Sequence, residues 1–169
     1  MKTKDIVHCG IVTALLCVLC PIAIPISGIP ITLATLVIYI TCTVCKLHTS
    51  LISVMLYILL GCIGLPVFSG FSGGVTHIAG PVGGFILGYI PLVICVSLLN
   101  KGRPRQIIGM CIGTVLLYIC GCIGFMLNTD KELLSVLSAC ILPFLPGDAL
   151  KITIAILAVP KINIIFKKK

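Results

Sequence analysis

The stretch from Gln106 to Leu127 reads QIIGMCIGTVLLYICGCIGFML and contains no Lys, Arg, Asp or Glu. A helix needs about 20 predominantly apolar residues to cross the hydrocarbon core of a bilayer, so this run is long enough to span a membrane. Five further apolar runs are each bounded by Pro, Gly or a charged residue. The sequence therefore predicts an all-α membrane protein with six transmembrane helices, at residues 6–24, 31–45, 49–67, 81–99, 106–127 and 146–165.

The composition points to the same class. The 169 residues are 59% hydrophobic and 9% charged, with a mean hydropathy of +1.29. A water-soluble globule needs a charged surface, so the composition excludes that class, and we expect one membrane-embedded domain over residues 1–169. A shorter helix at the membrane surface is expected between Lys131 and Leu142, and Pro143 and Pro146 are expected to end it. The first apolar run lacks a convincing cleavage site and is expected to be retained.

The basic residues lie almost entirely on one side of the predicted bundle. Of the twelve Lys and Arg, only Lys131 and Lys151 lie outside the two chain ends and the loops after the second and fourth spans. Positive residues accumulate on the cytoplasmic side, so both termini are predicted to be cytoplasmic. The net charge of +8 is then a topology signal. Scattered basic residues without interleaved aromatics do not favour nucleic-acid binding.

Residues 146–151, PGDALK, place an acid and a base three positions apart at the start of the sixth predicted span. Ionisable groups inside a membrane are costly, rare and commonly functional. At positions i and i+3, Asp148 and Lys151 project from one helix face, and an acid in the first turn is favoured by the helix dipole. We predict that both bind ligand. The alternative is an internal ion pair that only fixes the helix.

Two Gly- and Pro-rich segments, residues 21–30 and 66–80, fall on the outer side and carry no formal charge. Glycines in the second segment let the backbone approach a ligand closely. Phe68 within it, and Tyr89 shortly after it, favour a mostly apolar ligand. We predict that the second segment closes as a lid over the ligand. The alternative is a flexible external loop.

Several other functional classes lack their signatures. The chain has no G-x-x-x-x-G-K-[ST] phosphate loop, so uphill transport would need another chain to hydrolyse ATP. Asp148 is the only one of the four acids in a predicted span, which disfavours ion coupling. The eleven cysteines lie mostly in predicted helices, where Cys behaves as a small apolar residue. We therefore predict no metal and no cofactor.

Four motifs occur in order along the chain. They are IPITL at 29–33, GLPVFSG at 64–70, GPVGGF at 80–85 with GY at 88–89, and PFLPGD at 143–148 with Lys151. In this order and spacing they resemble the BioY family, the biotin-capturing S components of energy-coupling factor (ECF) transporters. The resemblance implies a substrate-binding subunit of the bacterial plasma membrane that works with a transmembrane coupling protein and two ABC-type ATPases. It implies a transporter component and not an enzyme.

The resemblance also guides the choice of ligand-binding residues. The predicted set is Thr32, Phe68, Gly73, His77, Gly83, Tyr89, Asp148 and Lys151. Two positions depart from the family pattern: Ala34 stands where the family usually has Gln, and Val82 stands where it usually has Thr. If either polar side chain contacts ligand in relatives, that contact is missing here.

The chemistry of biotin suits an acid and a base in an apolar site. Biotin has an apolar bicycle, a ureido group that donates and accepts hydrogen bonds, and a carboxylate. In a low-dielectric pocket each polar group needs a partner. Lys151 can pair with the carboxylate or donate to the ureido oxygen, and Asp148 can accept from a ureido N–H. The sequence leaves both assignments open.

A partner surface is predicted on the first helix. Gly10 and Ala14 form a small-x-x-x-small spacing, which allows another helix to come close. The family carries an Ala-x-x-x-Ala surface for the coupling protein on this helix, which implies the same role for Gly10 and Ala14. The alternative is packing within the bundle.

Three other functions remain open at this stage. An S component for a different small vitamin has the same six-span scaffold. A membrane enzyme could use Asp148 and Lys151 as acid and base, although no nucleophile or metal set accompanies them in the sequence. A purely structural subunit would bind no ligand.

Overall fold

A computed structural model describes residues 3–26, 29–129, 136–137 and 141–167. These residues are mostly helical, and the apolar runs of the sequence account for all the long helices. The described elements are α1 (Thr3–Leu19), β1 (Ala23–Ile26), β2 (Ile29–Thr32), α2 (Ala34–Val44), α3 (Leu47–Cys62), α4 (Val75–Ala79), α5 (Gly83–Leu98), α6 (Arg103–Asn128) and α7 (Leu145–Lys167).

Each predicted span overlaps one of the six longer helices, but the first and third predictions are wrong at their ends, because α1 stops at Leu19 and α3 stops at Cys62. α1 stops at Leu19, and the chain then forms a two-stranded antiparallel hairpin in which Ala23 pairs with Thr32. Pro21 explains the stop, because its ring and missing N–H are incompatible with a helix interior. The expectation of an all-α fold is corrected by this hairpin.

The second Gly- and Pro-rich segment is ordered and contains the short helix α4. Its backbone is tied to neighbouring elements: Gly74 N donates to Gly61 O at 2.7 Å, and Gly70 N donates to Pro21 O at 3.1 Å. These bonds connect the segment to the end of α3 and to the chain that follows α1. The segment thus covers the ends of two helices.

The α5–α6 pair packs more extensively than any other pair of described elements. Glycines make the close approach possible. A side chain at Gly84 would overlap the carbonyl oxygen of Cys120 and come within 2.9 Å of the Gly124 Cα. Small residues let helix backbones approach in this way, and the contact fixes α5 against α6.

One described helix, α6, meets the combined length and hydropathy expected of a membrane span, with 26 residues and a mean hydropathy of 2.2 over its most apolar part. α2, α3 and α5 are shorter apolar helices. The predicted surface helix between Lys131 and Leu142 lies largely outside the described residues. Residues 136–137 within it are helical.

Candidate ligand-binding site

A cavity forms where the start of α2, the end of α3, the start of α5 and the start of α7 meet the middle of α6. Its empty space, including the open mouth, is about 560 Å³. Apolar and aromatic residues make up most of the wall. The lining residues are Pro30, Thr32, Thr35, Tyr57, Phe68, Ser69, Val82, Phe85, Ile86, Tyr89, Leu117, Tyr118, Phe144, Asp148 and Lys151.

An ion pair lies in this wall. Lys151 Nζ is 3.0 Å from Asp148 Oδ1, and the two residues are only 8% and 4% exposed. Asp148 lies in the first turn of α7, where the helix dipole favours a carboxylate. Buried charges are stable only when paired and hydrogen-bonded, so the pair must be held by further partners.

Two hydroxyl groups from other helices supply those partners. Thr35 Oγ1, on α2, accepts a hydrogen bond from Lys151 Nζ at 3.1 Å and donates to Asp148 Oδ1 at 3.4 Å. Tyr118 Oη, on α6, donates to Asp148 Oδ2 at 2.6 Å. Both carboxylate oxygens are therefore engaged, and the short bond from Tyr118 is charge-assisted. Three helices fix the position of the pair.

Phe68 anchors the loop that follows α3. Its side chain is fully buried, meets the Tyr57 ring edge-on with centroids 5.7 Å apart, and stacks on His77 at 5.5 Å. Gly61 makes room for it, because a Cβ at that position would overlap the Phe68 ring. Tyr57 Oη donates to Val67 O at 3.2 Å. The loop is thus seated on the end of α3 with one face toward the cavity.

His77 lies behind Phe68. Its Nε2 is 3.3 Å from Ser72 Oγ, and that hydroxyl donates to Ser69 O at 2.7 Å. Burial lowers the pKa of the His77 imidazole below its ordinary value. The ring is therefore uncharged at neutral pH.

The structure brings five of the eight predicted ligand-binding residues into the cavity wall: Thr32, Phe68, Tyr89, Asp148 and Lys151. The other three support it from behind. A side chain at Gly73 would overlap Leu65 O, and one at Gly83 would overlap Ile78 O. Together with His77, these glycines shape the loop around α4, and none of the three is part of the described wall.

The two departures from the family pattern separate in space. Val82 lines the cavity, whereas Ala34 is fully buried and its backbone N donates to Thr32 Oγ1 at 3.4 Å. A change of side chain at Val82 alters the wall directly. The wall here is apolar at that point.

Sequence reasoning did not select Thr35 or Tyr118, although both bind the ion pair. Other hydroxyls share these apolar helices, with Tyr39, Thr41 and Thr43 in α2 and Thr114 in α6. A Thr in a helix also often bonds only to its own helix backbone. Tyr118 did carry a signal, because a lone Tyr in the middle of the longest apolar run needs a polar partner when it is buried.

The described residues hold no cluster of three or more His, Cys, Asp or Glu side chains suited to a metal ion. The cavity combines aromatic and aliphatic walls with one fixed group of charges and hydroxyls. The fold and the site together define a small helical protein of the membrane-embedded, ligand-binding class.

The family model of the BioY family matches residues 1–168. The chain belongs to the BioY family, and the resemblance seen in its motifs is confirmed. Membership also confirms the expectation of a transporter component and not an enzyme.

Relatives and a solved structure agree with this assignment. The probable biotin transporter BioY of Pyrococcus horikoshii is 28% identical over 163 residues, covering 96% of this chain and 98% of that protein. The biotin transporter BioY of Thermotoga maritima is 31% identical over 156 residues, covering 91% and 92%. A crystal structure of the S component for biotin from an ECF-type ABC transporter superposes with a TM-score of 0.86 at 25% identity, over 95% of this chain and 91% of that one.

Proposed function

We propose that the chain is the biotin-binding S component of an ECF-type ABC importer, which captures biotin outside the cell and releases it inward. The buried group formed by Asp148, Lys151, Thr35 and Tyr118 carries this proposal. It places fixed donors and acceptors at one point of a cavity that is otherwise mostly apolar. A ligand with an apolar body and one compact polar group matches that arrangement.

The ureido group of biotin fits this point better than its carboxylate does. Lys151 has three N–H donors, of which one is directed to Asp148 and one to Thr35, so one is left for the ureido oxygen. The Asp148 carboxylate has more lone-pair sites than the bonds it already accepts, so it can take a ureido N–H. A neutral ligand group also leaves the pair electrically balanced.

The loop between α3 and α5 serves as the outer cover in this proposal. Phe68 and Ser69 face the cavity, and the rest of the loop is tied to α3 and to the chain after α1. An ordered cover that carries no formal charge can close over an apolar ligand without burying solvated ions. Ligand entry then requires movement of this loop.

Six helices cross the membrane in this proposal: α1, α2, α3, α5, α6 and α7. The distribution of Lys and Arg supports cytoplasmic termini. Bacterial relatives such as the biotin transporter of Thermotoga maritima support a place in the bacterial plasma membrane. Large apolar side chains exposed on the helix surfaces support contact with lipid; examples are Ile11, Val18, Leu59, Val115 and Leu157.

The partners are a transmembrane coupling protein and two ABC-type ATPases, and α1 is the proposed contact surface. Gly10 and Ala14 are exposed, and no described atom lies within 4 Å of a Cβ built at Gly10. Ile11 and Leu15 are also exposed on this helix. A small-residue stripe flanked by apolar side chains suits close contact with a helix of another chain.

Equilibrium binding to the purified chain tests the proposed ligand. We expect tight, near-stoichiometric calorimetric binding of biotin and none of other small vitamins such as riboflavin or thiamine. Lys151→Ala and Asp148→Asn should each weaken biotin binding by about 100-fold, because each removes a charge-assisted bond and leaves a buried partner unsatisfied. Unchanged affinity in both variants would contradict this site.

A matched pair of variants on α1 tests the partner surface. Gly10→Leu should keep biotin binding but reduce ATP-dependent uptake by the assembled transporter, because the added side chain blocks close helix contact. Gly10→Ala is the control and should retain both. Normal uptake by Gly10→Leu would remove the proposed role of this surface.

A further inference from the structure

We infer that the site does not bind the carboxylate of biotin, and that the protein therefore accepts uncharged carboxyl derivatives of biotin as well as the free acid. This inference rests on the proposed function and adds the class of substrates to it. It follows from the ion pair in the cavity wall and from the lack of any further cation among the described residues around it.

The cavity wall contains one cation and one anion, and they neutralise each other. Lys151 Nζ is 3.0 Å from Asp148 Oδ1. The remaining described lining residues are aliphatic, aromatic, hydroxyl-bearing or proline, so none of them carries a formal charge. Among the described residues, the wall therefore has no surplus positive charge to offer an anionic ligand group.

Lys151 cannot serve the carboxylate without a penalty. A ligand carboxylate at Lys151 Nζ would lie next to the Asp148 carboxylate, and like charges at such distances repel strongly where water is excluded. The two anions would share one ammonium in a site whose charged residues are 8% and 4% exposed. Burying such an uncompensated charge is costly, whereas a carboxylate left at the mouth keeps its water.

The segments at the outer end of the bundle offer no substitute. Residues 20–33 and 63–82 contain no Lys, Arg, Asp or Glu. His77 is the only imidazole in them, and it lies behind the Phe68 ring and bonds to Ser72. The remaining predicted outward loop, residues 128–145, contains one cation in its sequence, Lys131, which lies outside the described residues and is flanked by Asp130 and Glu132.

Competition binding with carboxyl-modified ligands tests this inference on the purified wild-type chain. The ligands are biotin, biotinamide and biotin methyl ester, which share the bicycle and differ in the charge of the acid group. We expect the two uncharged derivatives to bind within about threefold of biotin. A charge-assisted hydrogen bond is worth about 1.5–3 kcal/mol, so loss of a true carboxylate partner would weaken binding about tenfold or more.

An analogue altered at the other end is the matched control. Iminobiotin in its guanidinium form replaces the neutral ureido group by a cation, which would lie next to Lys151. We expect its affinity to fall by at least about 100-fold because of like-charge repulsion in a buried site. Changes at the ureido end of the ligand therefore test its contact with the Asp148–Lys151 pair, and changes at the carboxyl end test its surroundings at the cavity mouth.

The outcomes separate the inference from the proposed function. If biotin binds and the uncharged derivatives lose tenfold or more, the inference is overturned while the proposed function stands. If none of the ligands binds to well-folded protein, the proposed function itself fails. Lys131→Gln adds a further check: a selective loss of affinity for the free acid would show that Lys131 pairs with the carboxylate and would also overturn the inference.

Discussion

The two sides of α6 differ sharply. On the side facing α5, glycines bring the two backbones together, and a Cβ built at Gly124 would lie only 2.6 Å from the Gly84 Cα. On the side facing the start of α7, an apolar groove lies between α6 and residues Leu137, Ile141 and Leu145, with an empty volume of about 880 Å³ that includes its open mouth. Tyr118 lines both this groove and the ligand cavity.

The two sides of α6 therefore contribute differently to stability and to ligand binding. The α5 side supplies packing that resists change, because backbone atoms cannot move apart as side chains can. The α7 side supplies a polar link, the 2.6 Å bond from Tyr118 to Asp148, across an interface with little other packing. Stability should therefore depend on the first side and ligand affinity on the second.

The largest effect is expected from filling the tight side. Gly84→Leu forces a side chain into the Cys120 carbonyl oxygen and the Gly124 backbone. We expect it to destabilise the fold by more than about 3 kcal/mol, since overpacking against backbone cannot be relieved by a rotamer change. Thermal unfolding in detergent measures the loss. Gly10→Ala, with open space around its Cβ, is the control and should unfold at or slightly above the wild-type temperature.

A smaller and more selective effect is expected at the polar link. Tyr118→Phe keeps the ring that divides the groove from the cavity and removes the bond to Asp148 Oδ2. We expect biotin affinity to fall about 10-fold to 100-fold, because hydrogen bonds to charged groups contribute about 1.5–3 kcal/mol. Calorimetry checks the affinity and thermal unfolding checks the fold. An affinity equal to wild type would show that this link does not position the pair.

The smallest effect is expected from truncation inside the groove. Ile123 is 54% exposed and lines the groove on α6. Ile123→Ala should change the free energy of unfolding by less than about 0.5 kcal/mol, because few contacts are lost. A large loss of stability would mean that the α7 side of α6 is packed as closely as the α5 side, and the contrast between them would fail.

The sequence predicts the helices of this protein well. A long apolar run in a membrane must satisfy its own backbone N–H and C=O groups, and a helix does so within one segment. The prediction of helix ends fails where a proline interrupts an apolar run. Residues 20–24 are apolar enough to extend α1, yet Pro21 ends the helix and the next residues alternate into a hairpin. Proline placement outweighs hydropathy over so short a stretch.

The site shows a similar division. Asp148 and Lys151 stand out because charges within apolar helices are rare and need a reason. Thr35 does not stand out, and Tyr118 signals only the need for some polar partner, since the partners of both depend on the rotation of α2 and α6 relative to α7. That rotation is set by packing across the whole bundle, including the glycine contact between α5 and α6, and no local pattern encodes it.

A structure of the chain with biotin bound gives the most direct test, through the distance from Lys151 Nζ to the ureido oxygen. The account predicts a hydrogen bond of about 2.7–3.2 Å there, with a ureido N–H donating to Asp148 and the carboxylate at the cavity mouth. A carboxylate placed on Lys151, or biotin bound in the groove between α6 and the start of α7, would contradict it.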